Sequence, residues 1–146
     1  MSWYDWLLFL HVSGGFVFGM SLMTYWGAVL IARRPQGASP VALAETISRP
    51  ANFVVGASAF VALVFGIWLA IYRDEYELWD AWILISLVLW LVAASAGGVA
   101  GSSYAKAAQS AELEAGALRR RGLLFHTTAS VAFLVILVLM IFKPGA

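Results

Sequence analysis

The chain has 146 residues, is 62% hydrophobic and only 12% charged, and carries a net charge of +1. A soluble domain commonly has about a quarter of its residues charged to solvate its surface, and this composition, with a mean hydropathy of +0.86, cannot supply that surface. The lack of cysteine removes disulfides, thiolate nucleophiles and iron–sulfur ligation, and charge scattered in short blocks offers nucleic acid no basic face.

Read in chain order, four runs are long enough to cross a hydrocarbon core, which takes roughly 20 helical residues. They are Trp6–Ile31, Phe53–Tyr72, Ala81–Gly101 and Leu123–Phe142, and no Asp, Glu, Lys or Arg lies in their interiors. Backbone amides in lipid must be satisfied within their own segment, so these runs are expected as helices. The first run has no basic n-region and outlasts a signal-peptide core, so it reads as a span that is retained. After it, Pro35, Gly37, Pro40 and Pro50 punctuate "ARRPQGASPVALAETISRP", leaving room for a short interfacial helix around Val41–Ser48. An acidic hairpin, "RDEYELWD", joins spans two and three. The segment "GSSYAKAAQSAELEAGALRRRG" joins spans three and four; it is rich in helix formers and reads as an extension of one of them. The expected fold is all-α: a single transmembrane domain over residues 1–146, a four-helix bundle with up-down-up-down topology.

Seven of the nine basic residues fall in loops one and three: Arg33, Arg34, Arg49, Lys106, Arg119, Arg120 and Arg121. The excess of Lys and Arg in cytoplasmic loops then places both termini and the acidic hairpin on the extracytoplasmic side of the plasma membrane. Trp3, Tyr4, Trp6, Tyr72, Tyr76, Trp79 and Trp82 collect at that outer boundary as an aromatic belt. The three consecutive arginines are suited to anionic lipid. Small residues recur at four-residue spacing (Gly15 and Gly19; Ala62, Gly66 and Ala70; Ala93, Gly97 and Gly101), which permits close helix packing.

The chain has two histidines, His11 and His126. Each lies about one turn inside its span, but three crossings separate the two helix starts, so the rings belong to opposite sides of a core about 30 Å thick. One haem bridging both is excluded. His126 reads as an interfacial histidine bonded to a hydroxyl, a backbone carbonyl or headgroup water. His11, with Gly15 one turn on, is the candidate cofactor and metal site. Met140 on the fourth span and Ser86 on the third reach the same outer layer. A His–Met pair suits haem iron, and thioether sulfur also suits copper. "SYAK", Ser103–Lys106, matches a Ser-x-x-Lys pattern without a companion motif, and no carboxylate pair, phosphate loop or catalytic triad is present.

The first helix, "YDWLLFLHVSGGFVFGM", resembles the opening of the HemJ-type protoporphyrinogen oxidases and their CopD-like relatives, which begin Tyr-x-Trp-x-x-x-Leu-His followed by small residues. Here these are Tyr4, Trp6, Leu10 and His11. Length, four spans and a tryptophan opening the third helix (Trp82) extend the likeness. The resemblance implies a haem b ligated by His11 and a redox or electron-transfer role. It also implies a lysine four residues after Trp82, where this chain has Ser86, so the chain departs from the oxidase pattern. The CopD-like branch implies copper handling by His and Met. The competing expectation is a non-enzymatic accessory or scaffold subunit, embedded in the bilayer within a larger membrane complex or homo-oligomer.

Overall fold

The structure is a computed structural model that describes residues 2–32, 40–72, 77–110 and 112–144. Arg33, Arg34, Pro35, Gly37, Arg73 and Tyr76 therefore lie outside the described residues. Four helices make up the fold: α1 (Trp3–Ala32), α2 (Pro40–Tyr72), α3 (Ala81–Gln109) and α4 (Glu112–Phe142). All four are long and apolar enough to cross a membrane.

The starts and stops follow from local chemistry. Ser2 and Asp5 form a reciprocal cap on α1: the Ser2 amide donates to Asp5 Oδ2 at 2.6 Å, and the Asp5 amide donates to Ser2 Oγ at 3.2 Å. Pro40 opens α2, where a missing amide costs nothing. α4 ends on Lys143, whose φ of 40° lies in the left-handed region used to close helices, and Pro144 follows.

Two helices differ from the sequence expectation. α2 runs unbroken through Pro50, so the segment expected as a separate interfacial helix is the first part of a 33-residue helix. Pro50 withholds one amide, from the Thr46 carbonyl. That loss is tolerable because it falls before the apolar span, which begins at Phe53. The alanine-rich connection extends both α3, which is capped at Ser110, and α4, which starts at Glu112.

Packing is antiparallel between chain neighbours. Gly14 and His11 of α1 meet Ala62 and Gly66 of α2. Tyr104 of α3 lies on Gly122 of α4, and Lys143 at the other end of α4 lies over Trp82, 5.8 Å from its ring centre. Gly19 and Trp26 of α1 meet Phe133 and Ser130 of α4. α1 and α3 run parallel, with Phe18 against Trp90 and Tyr25 against Tyr104. This is the up-down-up-down bundle. One end gathers Trp3, Trp6, Tyr72, Trp79 and Trp82.

The core is built of small residues around a few rings. Ala93 and Ala129 are fully buried, as is Phe18, which lies 4.9 Å from Trp90 and 5.4 Å from Phe133 between ring centres. Many large apolar side chains point outward: Phe16, Val88, Leu91, Leu124 and Ile141 are all exposed. Lipid is as apolar as leucine, so burying leucine gives no advantage there; close backbone approach does. A side chain at Gly14 would come within 2.8 Å of the Ala62 backbone, and one at Gly19 within 2.8 Å of the Phe133 ring, whereas Gly15 and Gly97 face open space. The closest approach of α1 to α2 is thus made by Gly14, on a different face from the Gly15 stripe read from spacing.

Gly14→Val is expected to push α1 from α2 and cost about 1–3 kcal/mol, the usual range for overpacking. Gly97→Ala should leave stability unchanged or slightly raised, because it meets no neighbour. Denaturant unfolding in detergent, followed by circular dichroism, separates the two.

Candidate functional site

His11 projects from the third turn of α1 onto α2, and its Nδ1 lies 2.8 Å from the Ala62 carbonyl oxygen. A carbonyl only accepts, so in the neutral ring Nδ1 carries the proton and donates it. The lone pair then belongs to Nε2. This is how ligand histidines are commonly oriented: one nitrogen is tied to a carbonyl, which fixes the tautomer and leaves the other for the metal.

Gly66 makes that bond possible. In a helix the residue four positions on stands over a carbonyl, and for Ala62 that residue is glycine. A Cβ there would lie 2.7 Å from both His11 Nδ1 and Cε1. Sequence reasoning placed Gly66 on a packing stripe without linking it to His11. The missing signal was the pairing of a glycine on one helix with a histidine at the same depth on the next.

Gly15, one turn on from His11, has no atom within 4 Å of where its Cβ would be. The α1/α4 seam is closed lower down by Gly19 against Phe133, and by Trp26, whose indole N–H donates to Ser130 Oγ at 3.1 Å. Carried upward, this antiparallel register brings His11 to the level of Met140 and the last turn of α4. α1 and α4 meet far more sparingly than α1 with α2 or α3 with α4. Met140 packs half-buried on the apolar core. Val12 and Phe16 of α1 and Leu137 and Ile141 of α4 are all exposed.

The other candidates are already engaged. Ser86 is buried, and its hydroxyl donates to the Trp82 carbonyl at 2.6 Å within its own helix. Ser103 of the Ser-x-x-Lys pattern donates to the Val99 carbonyl at 2.7 Å, and Lys106 is exposed. Among the described residues, no three His, Cys, Asp or Glu side chains come together as a metal cage.

His126 belongs to a different place. It is 1% exposed, and its Nε2 is buried with no hydrogen-bond partner. Trp26 packs edge-on at 4.9 Å, with Tyr25 at 5.8 Å and Tyr104 at 6.5 Å between ring centres. Leu22 to Trp26 lie on the order of 15–20 Å further along α1 than His11, at 1.5 Å per residue. The two imidazoles serve separate sites, and His126 is sealed from headgroup water.

Four apolar helices packed through small residues define an integral membrane protein of the multi-pass α-helical class. The chain belongs to the family described as predicted integral membrane protein (DUF2269), whose model matches residues 5–144. No curated protein and no solved structure matches it.

Gly66→Ala is expected to drive a methyl group into the imidazole and break its bond to Ala62. In ¹⁵N-histidine spectra the His11 Nδ1–H signal should lose its hydrogen-bonded character, while the His126 signals stay in place.

Proposed function

We propose that this protein is a membrane-embedded haem b protein with a redox or electron-transfer role, the iron held by His11 Nε2. The observation that supports the reading is the His11–Ala62 bond, which presents a fixed lone pair beside the open space at Gly15. The donor set suits this group: a haem brings four nitrogens of its own and asks the protein for only one or two ligands. That matches a bundle offering one histidine and, across the gap, one thioether at Met140. Copper held by the same pair is the alternative cargo, because thioether sulfur is a soft ligand.

When bound, haem supplies reversible one-electron chemistry, and the protein tunes it through axial ligand and burial. Each residue has a part in that. The Ala62 carbonyl raises the basicity of His11 by accepting from Nδ1. Gly15 leaves room for a flat ring. Phe16, Val12 and Ile141 keep water from its edge and make the mouth of the site lipophilic, which favours a redox partner dissolved in the bilayer. The basic residues of loops one and three support a plasma-membrane orientation with both termini, and hence His11, on the extracytoplasmic side.

The visible spectrum of protein purified from haem-replete cells tests this. A Soret band is expected in the wild type and lost in His11→Ala. Gly15→Leu is the sharper variant, because a Cβ there meets no protein atom within 4 Å: helix content should be retained and haem lost. Met140→Leu should leave haem bound and alter the spectrum. Colourless wild-type protein that carries copper would replace haem by metal handling. Colourless, metal-free protein that purifies with other chains would make it an accessory subunit.

A further inference from the structure

Arg119, Arg120 and Arg121 have no part in the haem reading, and they are the longest run of like charge in the sequence. We propose that they form a collar around α4 that binds anionic phospholipid. The headgroup phosphate sits at the arginines, and the first acyl segment lies on the side chains one turn further into the bilayer.

Depth places the collar at the headgroups. From Phe142, the last residue of α4, back to Arg121 is about 32 Å at 1.5 Å per residue. The hydrocarbon core is about 30 Å thick, so a helix with Phe142 at one boundary carries its arginines at the phosphates of the other.

Direction closes the collar around the outside of the helix. Gly122 packs on Tyr104 of α3, and Ala115, two turns before it, is buried. At about 3.6 residues per turn, Arg119 and Arg121 fall on either side of that packed face, and Arg120 points away from it. All three are exposed. Among the described residues no carboxylate pairs with any of them. Glu114 is exposed too, but it stands two turns from Arg121, beyond the one-turn spacing at which charges on a helix pair.

The level beneath selects a lipid over a soluble anion. One turn inward of each arginine stands an apolar side chain: Leu123 follows Arg119, Leu124 follows Arg120 and Phe125 follows Arg121. Leu124 is 66% exposed, and the Arg121 guanidinium leans inward over the Phe125 ring at 5.8 Å. A phospholipid carries the matching order of chemistry along its length, phosphate first and methylenes next. Guanidinium meets phosphate through two parallel N–H···O bonds. The contact of Tyr104 with Gly122 sets an antiparallel register that brings the exposed Lys106 level with Arg120 as a further cation. Basic clusters of about four or more beside a span are of the size that holds anionic lipid.

The test uses the full chain in detergent, mixed with equal amounts of phosphatidylglycerol and phosphatidylcholine of matched acyl chains. Native mass spectrometry counts each lipid retained, and detergent removes any effect of the arginines on the direction of insertion. Phosphatidylglycerol should be retained in preference. Arg120→Gln, at an exposed and unpaired side chain, should weaken that preference roughly fivefold, the worth of one basic side chain at an anionic surface. Replacing all three arginines by glutamine should abolish it, while helix signal and phosphatidylcholine retention hold. Lys143→Gln, at the other end of α4, should leave it intact. Equal retention of both lipids by the wild type would overturn the proposal. So would a preference that survives the triple substitution, or one that falls as far in Lys143→Gln as in Arg120→Gln. Displacement of the lipid by an equal concentration of inorganic phosphate would also overturn it, because an anion site has no use for Leu124 and Phe125.

Discussion

The contact between His11 and the Ala62 carbonyl is the constraint on which the site depends, and it rests on an absence. In lipid a polar side chain has no water to turn to, so an imidazole on an apolar helix must find a partner on a neighbouring one. Helical carbonyls are already engaged, but each keeps a second lone pair, usually screened by the side chain one turn on. Gly66 removes that screen. Gly14, three residues after His11, brings the backbones close enough for the 2.8 Å bond to close. Two glycines and one histidine thus set both the α1/α2 spacing and the direction of the free lone pair.

The same logic disposes of the other polar groups. Ser21, Thr24, Ser86, Ser103, Thr127 and Thr128 all return their hydroxyls to a carbonyl four residues back. This is the cheapest way to carry a hydroxyl into a membrane. It also removes them as ligands. The side-chain chemistry available inside the bundle is reduced to two imidazoles and the rings and thioether near them.

The helices were legible in the sequence because runs of some twenty residues without charge admit little else; the small-residue stripes marked packed positions only in part, since Ala62, Gly66 and Ala93 are in contact or buried while Gly15 and Gly97 face open space. The break between α3 and α4 and the passage of α2 through Pro50 were not, because a proline's effect depends on whether its orphaned carbonyl lies in lipid or outside it, which spacing does not show. His11 was legible as the candidate site, and the separation of the two histidines followed from counting crossings. The partners were not legible. Ala62 contributes only its backbone to His11, and a main-chain acceptor leaves no mark on residue identity. Gly14 and Gly15 are neighbours in sequence, but one is pressed against α2 and the other faces open space.

The two histidines are held differently. His11 is tied through Nδ1 to the Ala62 carbonyl of the adjacent helix, whereas His126 is packed among rings with its Nε2 buried and without a hydrogen-bond partner. One turn on from His11, Gly15 faces open space. At His126 the imidazole is buried beside the rings of Trp26, Tyr25 and Tyr104. The two imidazoles therefore differ in burial and in neighbours together: the residue one turn on from His11 is a glycine facing nothing, whereas beside His126 stands a tryptophan of the adjacent helix, locked across the seam by its bond to Ser130.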